Sequence, residues 1–379
     1  MRLDRSVVLV AGSIAPDCDA ATAAYAHEIA REAVAGLAPL GVRFEIMPGR
    51  LPALGAHGLP VAFDWEIIRS LSQLLAKGLL SVSPAGPFVA CTTTLKTLER
   101  IPPEYRADWD RLLAAKAMHL RFVPPGWASG AIRRSRAAEF ADVLLAIGGG
   151  EGIEHLATEF LRRARPVVPL DLNVAGSSGD GAGGSGRLLR EFLGASNPPY
   201  VLRDGSSPNS VLSRLALKER LMKPKDVAAH IAVILDQLRA PRAFFVRLLA
   251  DSDPNFAAVE AYFRKVVDPS VADLGYEKFE MGSTPSRDAW MNQEIFRNLG
   301  ECSIAVVDIT SLRFNCGIEL GFALGRNKKI ILSAMDGTRP PFDVDKWKMH
   351  FWKDPADPKE RARFLDHWGL VRNRDPVAD

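Results

Sequence analysis

The sequence contains little that would bind a metal ion, form a disulfide or cross a membrane. Its four cysteines are scattered over the 379 residues and lack the close pairing of a zinc site. Isolated thiols are typical of a reducing compartment, so we expect a cytoplasmic protein with no bound metal. No apolar run approaches the roughly 20 residues of a membrane-spanning helix, and we expect no membrane partner.

The chain also has little excess of one sign of charge over the other. The chain has 48 Lys and Arg residues against 45 Asp and Glu residues, which gives a net charge of +3. Such a balance gives no electrostatic basis for a nucleic-acid surface, and no direct nucleic-acid partner is expected. A chain of 379 residues also exceeds one ordinary hydrophobic core, which predicts two or three domains.

What the sequence does contain is a repeated alternation of short apolar runs and amphipathic segments. Apolar runs such as residues 6–13 and 303–308 predict buried parallel strands, each followed by a helix. The predicted fold class is α/β, with two Rossmann-like or flavodoxin-like domains, each a mostly parallel sheet flanked by helices. A Pro-containing break at residues 240–242 separates a domain of residues 1–240 from a domain of residues 241–379.

The same periodicities predict finer detail. Helices are predicted over residues 105–118 and 211–222, and another from about Ser286 leads into the strand at residues 303–308. After Ser333 the chain is predicted to form a loop and an aromatic tail whose Trp residues cover the second sheet. The alternatives for these Trp residues are a pocket wall or a contact with another protein.

Two acidic residues stand close together in the second domain. The apolar run at residues 303–308 ends in Asp308, a polar turn follows, and residues 315–325 form a predicted helix with Glu319 in its first turn. Loops after the carboxyl ends of parallel strands form the ligand crevice, so Asp308 and Glu319 are expected to reach one space. Purely local roles are the alternative, because the helix dipole favours glutamate there and aspartate caps turns.

Residues 292–333 resemble the nucleoside 2-deoxyribosyltransferase-like and TIR-like families, in which a helix motif of the form E-L-G-x-A follows a strand that ends in aspartate. In this sequence the motif reads Glu319-Leu-Gly-Phe-Ala. The resemblance implies that Glu319 attacks or stabilises the sugar carbon while an N-glycosidic bond breaks. A glutamate near a helix N-terminus is expected to stay ionised, as that role requires.

Further site residues are expected around the same crevice. Asp308 and Asn315 are expected to bind ribose hydroxyls. Substrate contacts are also expected at the end of the domain's first strand, from Arg247, Asp251 and Asp253. The deoxyribosyltransferases often carry an aspartate shortly before this motif, and this sequence has none at that position. NAD is therefore the expected substrate, and no separate cofactor is expected.

The first domain contains a run of glycines between a predicted strand and a predicted helix. Glycines let backbone amides approach a phosphate, and a helix N-terminus adds a favourable dipole. Arginines on the preceding helix are natural phosphate partners. The predicted ligand-binding residues are Gly12, Ser13, Arg133, Arg134, Gly148, Gly149, Gly150 and Gly152. Structural roles are the alternative, since tight turns need glycine and arginines also occur on solvated faces.

This part of the chain resembles the SLOG superfamily of Rossmann-like nucleotide-binding domains, through the glycine run at residues 148–152 and the strand at residues 166–170. Phosphohydrolase members of that superfamily carry P-G-G-x-G-T-x-x-E at this turn. Here the leading proline is missing and isoleucine replaces threonine, which favours ligand sensing over hydrolysis. The Gly/Ser-rich residues 176–186 are either a phosphate-binding lid or an inert loop.

The combination of the two resemblances is similar to the architecture of bacterial anti-phage effectors. It implies that a nucleotide-derived signalling ligand binds the first domain and switches on NAD cleavage in the second, within a homo-oligomer. Two alternatives stay open. One is a nucleoside or nucleotide N-glycosidase or 2-deoxyribosyltransferase of nucleotide salvage, and the other is a catalytically silent nucleotide sensor.

Overall fold

The chain divides into two compact units, Met1–Arg239 (unit 1) and Ala240–Asp379 (unit 2). Each unit contains a parallel sheet flanked by helices, which confirms the predicted fold class. The computed structural model describes residues 3–49, 54–80, 87–172, 174, 184–217, 222–280, 291–311, 313–326, 328–341 and 344–372.

Unit 1 is built on a six-stranded sheet in which all neighbouring strands are parallel. The strands are β1 (Val7–Ser13), β2 (Arg43–Ile46), β3 (Val89–Thr93), β4 (Met118–Phe122), β5 (Val143–Gly148) and β6 (Val167–Leu170). Their order in the sheet is β4-β3-β2-β1-β5-β6, so the direction of winding reverses between β1 and β5. Ligands of open α/β sheets bind at such a reversal, beyond the carboxyl ends of the strands.

Helices join these strands. They are α1 (Ala20–Leu37), α2 (Asp64–Ala76), α3 (Leu95–Leu98), α4 (Pro103–Ala114), α5 (Ser129–Phe140), α6 (Glu151–Arg162), α7 (Ser185–Gly194), α8 (Asn209–Leu212) and α9 (Pro224–Gln237). Asp19 caps the start of α1 by accepting a hydrogen bond from the Thr22 amide at 2.9 Å. The central strand β5 is buried along its whole length, as expected for a parallel strand with helices on both faces.

Two of the helix predictions for unit 1 are wrong. The helix predicted over residues 105–118 ends at Ala114, because Lys116 adopts a positive φ of 54° and Met118 already begins β4. Polar residues in this edge strand hide its strand pattern in the sequence. In the described part of the helix predicted over residues 211–222, the chain forms the end of the short α8 and a following 3-10 turn, after which Leu217 donates its amide to the Asp171 carbonyl at 2.9 Å; residues 218–221 lie outside the described residues.

Unit 2 has a five-stranded parallel sheet in the order β11-β10-β9-β7-β8, which is the doubly wound order of flavodoxin-like folds. The strands are β7 (Arg242–Val246), β8 (Glu277–Glu280), β9 (Ile304–Asp308), β10 (Lys329–Met335) and β11 (His350–Trp352). The helices are α10 (Phe256–Tyr262), α11 (Asp268–Asp273), α12 (Met291–Glu301), α13 (Phe314–Gly325) and α14 (Glu360–Arg372). A π-helical turn, Phe263–Val267, joins α10 to α11.

The sheet of unit 2 has a hydrophobic core on each face. Phe245 of β7 packs with Tyr262 and Trp368 on one face, whereas Phe244 packs with Leu320 of α13 on the other. Successive side chains of a strand point to opposite faces, so β7 contributes to both cores. The helix that carries Glu319 is thereby fixed against β7 and β9.

The aromatic tail of the chain adds a strand that the sequence pattern did not reveal. Trp352 lies in the edge strand β11, and its ring stacks on Tyr262 with centroids 4.6 Å apart. Trp368 is buried on α14. Residues 281–290, where a helix was predicted to begin, lie outside the described residues, and α12 is described from Met291. Among the described helices none is long and apolar enough to cross a membrane.

Candidate functional site

The winding reversal of unit 2 lies between β7 and β9, and the loops that follow these two strands are hydrogen-bonded to each other. The Ser311 hydroxyl, after β9, donates to the Asp253 carboxylate at 2.9 Å, and the Asn255 side chain donates to Ser311 at 3.3 Å. Asp253 also accepts the backbone amide of Asn255 at 3.0 Å. The structure therefore fixes the two loops side by side at the edge where a flavodoxin-like sheet binds its ligand.

Glu319 is the sixth residue of α13, which places it in the second turn and not in the predicted first turn. Its side chain is partly buried and has no hydrogen-bond or ion-pair partner among the described residues. Burial raises the pKa of the carboxyl to about 7. The expectation that the helix dipole keeps Glu319 ionised is therefore wrong, because desolvation is stronger and the dipole fades beyond the first turn. Near neutral pH both protonation states are populated.

Asp308 is buried at the end of β9 and its carboxylate accepts three hydrogen bonds from the protein. The donors are the Thr310 amide at 3.1 Å, the Ser333 hydroxyl at 2.9 Å and the Trp352 indole N–H at 2.9 Å. Burial raises the pKa of Asp308. These bonds tie β9 to β10 and β11, so the residue has a structural role whether or not it also contacts a ribose.

The other predicted residues of this site differ in accessibility. Arg247 pairs with both Glu260 and Glu280, so its guanidinium is already bonded to protein carboxylates. Asn315, in the first turn of α13, and Asp251, in the loop after β7, are exposed. Asp251 and Asn315 are thus open to solvent, whereas the ion pairs of Arg247 link the end of β7 to α10 and β8. Substrate contacts by these residues stay predictions.

In unit 1 the glycine turn lies at the winding reversal between β1 and β5, but its closest contacts are within the chain. Gly148 and Gly149 adopt positive φ angles of 64° and 78°. The Gly148 amide donates to the Ser185 hydroxyl at 2.6 Å, and the Gly149 amide donates to the Ser13 carbonyl at 2.7 Å. A Cβ on Gly12 would lie 1.8 Å from the Ile147 carbonyl oxygen. Glycine is therefore needed at these positions for close backbone contact between neighbouring segments. Their presence does not require a bound phosphate.

The positive end of α6 remains accessible beside this turn. Gly150, Glu151 and Gly152 are exposed, and their backbone amides have no acceptor among the described residues. Amides at a helix N-terminus attract anions. The carboxylate of Glu154 in the same turn accepts the Gly184 amide at 3.1 Å, which brings negative charge close by. Residues 175–183, most of the predicted Gly/Ser-rich loop, lie outside the described residues.

The two arginines predicted to share one phosphate point to different neighbours. Arg133 donates to the Pro48 carbonyl at 2.8 Å, beyond the end of β2. Arg134 donates instead to the His155 ring at 3.3 Å, on α6 beside the glycine turn. Burial lowers the pKa of Arg133. The structure therefore places only Arg134 next to the glycine turn.

Arg133 lines a separate cleft of about 300 Å³ beyond the carboxyl ends of β3 and β4. The residues that line it are Thr94, Lys96, Thr97, Pro125, Gly126, Trp127, Ser129 and Arg133. Apart from Arg133, these residues were not predicted as site residues. One signal in the sequence points to this cleft. Trp127 lies in a loop with Pro and Gly, where no helical or strand periodicity assigns its side chain to a core. Among the described residues no cluster of three or more His, Cys, Asp or Glu side chains is arranged to hold a metal ion.

Comparison with known families concerns unit 1. The family described as "ATP nucleosidase Cap17-like, N-terminal" matches residues 3–237. The chain belongs to this family. The matched residues include all six strands of the first sheet, the glycine turn and the Arg133 cleft, whereas unit 2 lies outside the Cap17-like match.

Two curated relatives in the Cap17-like group are similar to part of the chain. They are the proteins named ATP nucleosidase Cap17 from Escherichia coli (strain KTE188) and from Escherichia coli. Each is 24% identical over 179 residues, which is 47% of this chain and 34% of the relative. The match thus spans about a third of the length of these relatives.

Proposed function

We propose that the chain is an anti-phage effector that hydrolyses an N-glycosidic bond of NAD in unit 2, under control of a nucleotide-derived signalling ligand that binds unit 1. The observation that carries the proposal is Glu319, a partly buried carboxyl with no hydrogen-bond or ion-pair partner among the described residues, on the helix that follows β9 at the winding reversal. The family of unit 1 supports it, because its relatives are named for breaking the N-glycosidic bond of a nucleotide.

The proposed chemistry needs negative charge near the sugar. In NAD the nicotinamide nitrogen is cationic, so the leaving group departs neutral and requires no proton. Positive charge develops on the ribosyl carbon as the bond breaks, and the ionised carboxylate of Glu319 stabilises it. Water then adds to that carbon, and the products are ADP-ribose, nicotinamide and one proton. The exposed side chains of Asn315 and Asp251 are the proposed ribose and substrate contacts, and no separate cofactor takes part.

Control by unit 1 is proposed to work through assembly. A ligand that binds more tightly to an active homo-oligomer than to the free chain shifts the population toward that oligomer. Light scattering of the full chain, with and without added nucleotides, measures this shift. The proposal requires that nucleotides which raise NAD cleavage also raise the average mass.

The experiment that tests the proposed activity follows nicotinamide release from NAD by the purified full chain, with and without candidate nucleotides. We expect release by the wild type and a loss of at least about 100-fold in Glu319→Gln, since electrostatic groups of this kind contribute that much. Glu301→Gln is the matched control, because Glu301 is an exposed carboxylate on α12. Release that is equal in wild type and Glu319→Gln would remove Glu319 from the reaction.

A second candidate function is favoured by the position of the family match. Because the match covers residues 3–237, unit 1 itself is the alternative nucleosidase, with ATP as substrate and adenine as product. The same assay separates the two functions when ATP replaces NAD and adenine is followed. Adenine release that persists in Glu319→Gln would assign the activity to unit 1.

A further inference from the structure

The Arg133 cleft of unit 1 carries positive charge without a compensating acid among its lining residues. Lys96 and Arg133 are the two charged residues of the eight that line it. Lys96 is exposed and forms no ion pair with a described residue. The Nε atom of Arg133 is buried and lacks a hydrogen-bond acceptor. An atom so enclosed is out of reach of an anion in the cleft, so Arg133 attracts an anion through the charge of its guanidinium, part of which the Asp64 carboxylate offsets.

The floor of the cleft adds further donors. Ser129 lines it and is the first residue of α5, a helix of 12 residues whose positive end therefore opens into the cleft. Thr94 and Thr97 are buried there and their hydroxyls are hydrogen-bonded to each other at 3.2 Å, which leaves one of the two hydroxyl hydrogens for a ligand. Two cations, a helix N-terminus and hydroxyl groups are the donors that bind phosphate oxygens in proteins.

One wall of the cleft is an aromatic side chain without protein cover. Trp127 has a relative exposure of 101%, which makes it the most exposed of the large apolar residues described. It follows Pro125 and Gly126 in the loop between β4 and α5. Exposing a whole indole to water forgoes the burial that stabilises other aromatic residues. Indole faces of this kind are platforms on which nucleobases stack.

We infer that the cleft binds a mononucleotide moiety, with its phosphate held by Lys96, Arg133 and the start of α5, and its base stacked on Trp127. The volume of about 300 Å³ lies at the small end of ligand pockets and suits one nucleotide rather than two. The inference rests on the nucleotide-binding part of the proposed function and moves that site from the glycine turn to the β3–β4 edge of the same unit.

Calorimetric titration of the full chain with AMP tests the inference, and the Glu319→Gln background silences the proposed site of unit 2. We expect Trp127→Ala to weaken binding of both AMP and adenosine by about tenfold or more, the loss typical of one stacked base. Lys96→Ala is expected to weaken the binding of AMP and of inorganic phosphate by about tenfold each. The binding of adenosine, which has no phosphate, should not change. Lys225→Ala, which removes an exposed lysine from α9, is the matched control and should bind AMP as the parent does.

The rival site is tested with Gly150→Ala, because a Cβ at Gly150 meets no protein atom but would obstruct a phosphate on α6. AMP binding that is lost in Gly150→Ala and retained in the Trp127 and Lys96 variants overturns the inference. So does a parent protein that binds no AMP at millimolar concentration. NAD cleavage by the chain with Glu319 intact is measured separately, so failure of the binding site and failure of the proposed glycohydrolase are distinguished.

Discussion

Replacing Glu319 by glutamine should stabilise unit 2, and the gain should depend on pH. Burial raises the pKa of Glu319 from an ordinary 4.5 to about 7 in the folded chain. At about 1.4 kcal/mol for each pKa unit this difference corresponds to about 3 kcal/mol, and solvent screening of the partly exposed side chain reduces it to about 1 to 2 kcal/mol. A neutral glutamine of the same shape avoids this cost.

The sign of the pH dependence follows from the raised pKa. The folded state favours the protonated carboxyl, so the wild type loses stability as pH rises from about 4.5 to about 7 and changes no further above that value. The advantage of Glu319→Gln should therefore be near zero at pH 4.5 and largest above pH 7, where the melting temperature of unit 2 rises by about 3 to 6 °C.

Thermal melts of wild type and Glu319→Gln at pH 4.5, 6, 7 and 8, with Glu301→Gln as the exposed control, measure this difference. The melts require no substrate, so they test the burial of Glu319 independently of any activity. A stability difference that is the same at all four pH values, or a less stable Glu319→Gln at pH 8, would refute the reasoning, because the carboxyl would then not be desolvated in the folded chain.

Three further substitutions probe the structure around the two candidate sites. Asp308→Ala should lower the free energy of unfolding by about 2 to 4 kcal/mol, because the buried Trp352 indole N–H loses its acceptor; an unchanged denaturation midpoint would contradict the bonding described. Gly148→Ala should lower the free energy of unfolding by about 2 to 3 kcal/mol, since the φ of Gly148 is 64° and a Cβ would lie 2.4 Å from a backbone oxygen. Gly150→Ala, whose Cβ would meet no protein atom, should have the melting temperature of the wild type. Arg247→Leu should lower the free energy of unfolding by about 1 to 3 kcal/mol, because the buried carboxylate of Glu280 loses its guanidinium partner and keeps the pair with Lys278; recovery of stability at acidic pH would identify that carboxylate as the cause.

The sequence pattern predicts the architecture well because parallel sheets leave a strong signal. Buried central strands such as β1, β5 and β9 are continuous apolar runs, and the α/β alternation follows from them. The edge strands β4 and β11 were missed, since an edge strand is only partly buried and carries polar residues such as His119. Edge position is a property of the assembled sheet and is not visible in local periodicity.

In the candidate sites, too, local sequence features are predictable and features set by tertiary packing are not. The sequence points to Glu319 and the glycine turn as candidate site residues because each follows a strong strand. The divergence of Arg133 and Arg134 was not foreseen, because adjacent residues on a helix point about 100° apart and the rotation of α5 depends on tertiary packing. The protonation state of Glu319 was also mispredicted, since desolvation depends on the neighbours that fold over a side chain.

The pH dependence of nicotinamide release from NAD by the full chain, compared with Glu319→Gln, tests the central proposal most directly. If the ionised carboxylate of Glu319 stabilises the positive ribosyl carbon, kcat should rise about tenfold for each pH unit below about 7, level off above it, and be at least about 100-fold lower in Glu319→Gln. A rate that falls with rising pH, or one that is equal in the two proteins, would contradict the role proposed for Glu319.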